Sequence, residues 1–158
     1  MNNEIGFNQK NINAICDVKA STKGKHQRGY IGRKGIGFKS VFTITNSPEI
    51  HSNGYHINFD LDNGHIGYIL PNWISNVNKM NEVESLKAFA LNKIGNTSKE
   101  LFKKIGNLNT IIRLPFKPES EMYRYKSSTI RNNFNDIKPY LLLFLNRLRN
   151  LIIINKLI

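Results

Sequence analysis

The stretch Gly29-Tyr30-Ile31-Gly32-Arg33-Lys34-Gly35-Ile36-Gly37-Phe38-Lys39-Ser40 decides how the rest of the chain is read. Gly32, Gly35 and Gly37 form a G-x-x-G-x-G pattern directly ahead of an apolar segment carrying Phe38, Val41 and Phe42 at helical spacing. Glycines let a backbone turn sharply and present consecutive N–H groups to an anion, and the positive end of a following helix favours negative charge. Arg33 and Lys34 lie in the same loop, so the pattern predicts a phosphate cradle. It is not a P-loop, because Phe38 separates Gly37 from Lys39-Ser40. Nor does it follow the G-x-G-x-x-G order of a dinucleotide-binding turn, and no convincing parallel strand precedes it. A glycine-rich turn that simply joins two elements is the competing reading.

Working outward, residues 9–18 carry Ile12, Ile15 and Val18 on one helical face, and residues 19–34 read as a basic loop. Residues 35–44 read as a short helix packed through Phe38, Val41 and Phe42. Asn53-Gly54 and Asn63-Gly64 are tight-turn dipeptides, and Tyr55, Ile57, Phe59 and Leu61 alternate between them. Two hairpins are predicted, the second returning through Ile66, Tyr68 and Leu70. Helices are expected over residues 83–93 and 98–105, the second capped by Thr97 or Ser98, and a strand over residues 110–115. The apolar tail predicts a buried helix over residues 138–149 and a short strand over residues 151–154. Together these elements describe an α+β fold, an antiparallel sheet with helices on one face.

Length and composition agree: 158 residues with 40% apolar side chains make one domain's worth of chain with a sizeable core. The net charge of +12, from 23 Lys+Arg against 11 Asp+Glu, would suit nucleic acid, an anionic membrane surface or a phosphorylated ligand. The cations are scattered among Asn and Ile residues, however, so most of this charge reads as a solvated surface. Cys16 is the single cysteine, which points to a reducing compartment, and the first residues carry no signal-type apolar run. The apolar run over residues 140–145 is far short of the roughly 20 residues a bilayer crossing needs. An intracellular protein, cytoplasmic or nuclear and without a membrane partner, is expected. His26, His51, His56 and His65 show no metal-ligand spacing, so no zinc site is expected.

Four elements in order carry a family resemblance. Asn2-Asn3-Glu4-Ile5-Gly6-Phe7 resembles the D-x-G-x-G box of the GHKL ATPases, the group of DNA gyrase B, heat-shock chaperones, histidine kinases and MutL. Gly32-x-x-Gly35-x-Gly37-Phe38 resembles their second glycine box, Ser21-Thr22-Lys23 the S-x-K element that starts the ATP lid, and Asn109-Thr110 the G-T that closes the nucleotide pocket. Within that superfamily, the Gly6-Phe7 pair, Ala14-Ile15-Cys16, the string IGRKGIGFKSVF and the late LLLFLNRL are similar to the sacsin and NO VEIN group. The resemblance covers nearly the whole chain and implies a Bergerat-type ATP site in a two-layer α/β sandwich with a mixed, mostly antiparallel sheet.

The resemblance also implies roles. Asn2 stands where the family's Asp accepts a hydrogen bond from the adenine amino group; a carboxamide oxygen accepts without charge assistance, weakening recognition by about 1 kcal/mol. Gly6 would let the backbone approach the ring, Phe7 would pack near it, and Thr110 would reach it through its hydroxyl, directly or by way of water. Gly32, Gly35, Gly37 and the N–H of Phe38 would hold the β- and γ-phosphates, with Lys23 or Lys34 adding charge. Plainer readings stand beside these: a disordered end at Asn2, ordinary core at Phe7, a solvated Lys23 and a simple strand residue at Thr110.

ATP with Mg²⁺ is thus the implied ligand, but hydrolysis in the superfamily depends on a Glu and an Asn from a helix ahead of the first box. Neither stands in this sequence, and Glu4 occupies the box's second glycine position, so no catalytic residue and no metal ligand is assigned. The chain is expected to be a nucleotide-binding fragment of a larger, chaperone-like protein, incomplete at its N-terminal end, with protein partners of that parent. Residues 1–118 would form the partial ATP-binding domain and residues 119–158 a helical extension with a short strand packed on it. The rival class is a basic nucleic-acid-binding module using residues 19–34 and the tail arginines against phosphates, with Tyr30, Tyr123 and Tyr125 stacking on bases. An inert interaction scaffold is a third.

Overall fold

The structure of the chain, a computed structural model, describes residues 1–16, 37–122, 126–144, 148 and 150–154. Helix α1 (Gln9–Cys16) is followed, within these residues, by a 3-10 segment Phe38–Thr43 and strand β1 (Glu49–Ser52). Asn53 and Gly54 then adopt φ of 48° and 79°, the left-handed pair that a two-residue hairpin turn needs. The turn sets β2 (Tyr55–Asn58) antiparallel on β1, with Glu49 opposite Asn58 and Ser52 opposite Tyr55. After a 3-10 turn Leu61–Asn63 and a short helix α2 (Gly64–Gly67), strand β3 (Asn72–Trp73) lies along β2. Helices α3 (Val77–Thr97) and α4 (Lys99–Ile105), strand β4 (Thr110–Arg113) and helix α5 (Ser127–Asn135) complete the order. The sheet order is β3-β2-β1-β4 with every pairing antiparallel, so the fold is α+β as the pattern predicts.

The second hairpin is a correction. The Asp60 carboxylate accepts the N–H of Asp62 at 3.0 Å and opens the 3-10 turn, and Gly64 at φ 69° leads into helix rather than back into strand. Residues expected to alternate in a strand are instead wound, with Leu70 N–H donating to the Ile66 carbonyl at 2.8 Å. Ile66 and Leu70 are exposed, so no buried face rewards alternation there, and the pairing on β2 passes to Asn72 and Trp73. The helical expectations fare better. Asn76 caps α3 by accepting the N–H of Asn78 and Lys79, which carries the helix well beyond the expected residues 83–93. Ser98 caps α4 by accepting from Leu101 at 3.1 Å.

Alternation along β1 sends its side chains to two different environments. Ile50 joins Ile12 of α1, Phe42 of the 3-10 segment, Ile57 and Phe59 in the main core, with Phe7, Phe38, Val41 and Tyr68 packed around them. The segment around Phe42 is a 3-10 rather than an α-helix; Ser40 and Thr43 hydroxyls donate three residues back, to the carbonyls of Gly37 and Ser40, and favour the tighter winding. Lys39 is buried in this core, its ammonium 4.6 Å from the Phe59 ring centroid and 4.9 Å from that of Tyr68, and it donates to the Tyr68 carbonyl at 2.6 Å. Burial holds the Lys39 pKa below its ordinary value and raises that of the neighbouring Cys16 thiol.

Glu49 points the other way and is 1% exposed. Burial alone would raise its pKa, but hydrogen bonds from Lys79 and Arg113, each at 3.0 Å, outweigh that and hold the carboxyl below its ordinary value. Arg113 also donates to Glu82 at 3.0 Å, so α3 adds cover to the face opposite the main core, beyond the single helical face expected. Across the hairpin, Nδ1 of His51 lies 2.9 Å from Nδ1 of His56, and Nε2 of His51 lies 3.6 Å from Glu49, too far for a hydrogen bond. The tautomers of the two rings set which of them donates across the Nδ1–Nδ1 contact.

The tail is the other correction. A 3-10 segment Pro139–Phe144 replaces the expected buried helix, Tyr140 and Leu143 are exposed, and residues 151–154 form no strand. Residues 145–147 and 149 lie outside the described ones. Among the described residues no helix is long and apolar enough to cross a membrane.

His51 and Glu49 give the fold a signed pH dependence. Unfolded His51 takes up a proton near its ordinary value of 6.5, whereas folded His51 does so only at lower pH, because burial and then the charges of His56 and Arg113 outweigh Glu49. Stability should therefore fall as pH drops below about 6.5, with the Glu49 contribution lost further down, below its ordinary 4.5. The urea midpoint should be lower at pH 5.5 than at 7.5, and His51→Gln should flatten that interval. Phe59→Ala, emptying a site of zero exposure, should cost about 3–5 kcal/mol at neutral pH by the same measurement.

Candidate functional site

The first box and the closing strand meet. Asn2 pairs antiparallel with Thr110: Asn2 N–H donates to the Thr110 carbonyl at 2.8 Å and Thr110 N–H to the Asn2 carbonyl at 3.2 Å. The Thr110 side chain, 2% exposed, shares a 2.7 Å hydrogen bond with the Ser52 hydroxyl. Ser52 Oγ in turn accepts the N–H of Phe7 at 2.9 Å. Two hydroxyls at the end of β1 and the start of β4 thus anchor the return of the first-box loop into the sheet. The register that places Ser52 opposite Thr110 also places Glu49 opposite Arg113, so the buried ion pair and the site share one ladder.

Of the residues singled out from the sequence, Asn2, Gly6, Phe7 and Thr110 are gathered around Ser52 and Asn53. Asn2 is exposed, and its side-chain oxygen accepts the Glu4 N–H at 3.3 Å, leaving a second lone pair for another donor. Gly6 adopts φ 89°, and a Cβ there would fall 2.6 Å from Nδ2 of Asn53 and 2.8 Å from the Ser52 hydroxyl; the hairpin itself demands glycine at this position. Phe7 is half-buried against the main core, as is Phe38, whose ring lies 5.5 Å from that of Phe59. Gly37 precedes the 3-10 segment with open space where a Cβ would project. Lys23, Gly32, Lys34 and Gly35 lie outside the described residues.

Sequence reasoning missed Ser52, Asn53 and the Glu49 cluster. Asn53-Gly54 was legible as a turn, but nothing local says that its side chain donates to the carbonyls of Ile5 at 2.7 Å and Phe7 at 3.2 Å. Asn109, noted only as part of the closing dipeptide, donates to the Glu4 carbonyl at 2.9 Å. A cleft of about 290 Å³ lined by Asn133, Asp136, Ile137, Lys138, Tyr140 and Leu141 shares no residue with this site. Among the described residues no group of three or more His, Cys, Asp or Glu side chains could hold a metal ion.

The chain belongs to the sacsin family: the model described as the Sacsin domain matches residues 1–156. Over 150 residues the chain is 47% identical to Protein NO VEIN of Arabidopsis thaliana, a match covering 94% of this chain and 5% of that protein. The chain therefore spans about a twentieth of the length of this curated relative. No solved structure matches it.

The hydroxyl pair makes a non-additive prediction. Ser52→Ala removes the acceptor of the Phe7 N–H and strands the buried Thr110 hydroxyl, and should cost about 1–3 kcal/mol. Adding Thr110→Val removes the stranded group, so the double variant should be less destabilised than the sum of the single ones, read from urea denaturation of all four chains.

Proposed function

We propose that the chain binds ATP through a GHKL-type, Bergerat-fold site whose adenine end is built from Asn2, Gly6, Phe7 and Thr110. The observation that carries this reading is the antiparallel Asn2–Thr110 pair, which joins first box to closing strand where the family resemblance requires the two walls of an adenine pocket to meet. The donor set fits: the Asn2 carboxamide oxygen retains a lone pair after bonding Glu4, and an adenine amino group offers the N–H to fill it. The Thr110 hydroxyl, engaged by Ser52, would orient the pair behind that contact rather than open a wet one.

The phosphate end is assigned to Gly32, Lys34 and Gly35 with Lys23, leading into Gly37 and the N–H of Phe38. Mg²⁺ enters as the nucleotide's counter-ion, and the proposal is one of binding. The chain matches 5% of a far longer relative, which supports reading it as the nucleotide-binding part of a larger protein.

Calorimetric titration of the chain with Mg-ATP tests this. Saturable binding is expected, weakened by Gly35→Ala and by Lys34→Ala. Asn2→Asp should tighten it, by about fivefold, because a carboxylate keeps the local bond to Glu4 and adds charge assistance to the adenine contact. Failure to bind ATP, together with salt-sensitive binding to single-stranded DNA or RNA, would replace this reading with a nucleic-acid module.

A further inference from the structure

The first-box loop is held in an unusual way. Ile5, its central apolar side chain, is 88% exposed, so packing does not fix the loop. Its carbonyls are instead claimed by carboxamides: Asn109 donates to Glu4, and the Asn53 amide nitrogen donates to the Ile5 carbonyl at 2.7 Å and the Phe7 carbonyl at 3.2 Å. These two acceptors bracket Gly6, whose φ of 89° sets the course of the loop and whose hydrogen-only side packs against that same amide. The β1–β2 turn alone does not call for this side chain, since glycine satisfies a left-handed turn position equally well.

We propose that Asn53 is the positioning residue of the nucleotide site: its carboxamide clamps the loop from Ile5 to Phe7 and so holds the first box in the shape that receives the base. The claim rests on the nucleotide reading for its functional half, while the clamp itself is read without nucleotide. Among the described residues outside its own hairpin, the hydrogen bonds of the Asn53 carboxamide go to the first box, so its effect is expected on recognition of adenine rather than of phosphate. Ser52, the residue before Asn53, accepts the Phe7 N–H and so secures the Gly6–Phe7 peptide that lies between the Ile5 and Phe7 carbonyls.

The test uses the whole chain with Asn53→Gly, which keeps the turn and deletes the clamp, and Asn53→Asp, which keeps side-chain volume and tolerance of positive φ but replaces both donors by an oxygen. Hydrogen exchange is followed at residues 4–7 and, as an internal control for folding, at residues 49–58. ATP and inorganic tripolyphosphate are titrated in parallel. Faster exchange of the Phe7 amide over an unchanged hairpin is expected in both variants, with ATP affinity lowered about tenfold and tripolyphosphate affinity unchanged. An undisturbed Phe7 amide in Asn53→Asp overturns the proposal. So does an equal loss for ATP and tripolyphosphate, or no loss for either. If the unaltered chain binds no ATP while the variants still release the Phe7 amide, the nucleotide reading fails and the loop clamp stands.

Discussion

Burying a carboxylate in a strand is tolerable only when cations meet it, and the Glu49 side chain imposes that condition on everything around it. Lys79 brings the start of α3 to the sheet, and Arg113 brings the end of β4. The second requirement sets a register. With Glu49 opposite Arg113, β4 runs back along β1 until Thr110 stands opposite Ser52, and a slip by one residue would turn Arg113 into the apolar core and leave the carboxylate unmatched. The ion pair on one face therefore decides where the hydroxyl pair forms on the other.

From Ser52 the constraint passes to the first box. Its backbone is held from three directions: by the Ser52 hydroxyl, by the carboxamides of Asn53 and Asn109, and by the strand-like pair with Thr110. Three of these four anchors lie in or beside β1 and β4, the strands joined by the buried ion pair, and the fourth is the turn that follows β1. Position 2 of the chain is thereby placed by a carboxylate it never touches.

The sequence made the local devices plain and the long-range ones invisible. Asn53-Gly54 marked the hairpin, Thr97 or Ser98 the start of α4, and residues 110–115 a strand that the fold realises over Thr110–Arg113, because each rests on neighbours along the chain. Asn63-Gly64 misled because Asp60 captured the next turn's N–H and wound it into helix, a side-chain choice that the dipeptide does not encode. The tail misled because apolar spacing reports a wish to be buried without reporting whether a face is vacant. Motif order singled out Asn2, Gly6, Phe7 and Thr110, which the fold gathers around Ser52 and Asn53, whereas Asn53 itself was visible only as a turn residue. The Glu49, His51 and Arg113 cluster had a legible trace, a carboxylate and an imidazole two positions apart on one strand, yet its cations come from elements more than twenty positions away.

The contacts that hold the first box also fix when it can form. Glu4 and Asn109 are separated by 105 positions, and Asn53 is 48 positions from Ile5. Closing loops of that span costs chain entropy, and costs less once the intervening strands are aligned, so the β1–β2 hairpin, with its two-residue connection, is positioned to organise first and the box to dock last. A box docked in that order depends on a ladder it does not itself build, and its backbone hydrogen bonds to Asn109 and Thr110 are exposed to release when the edge of β4 opens.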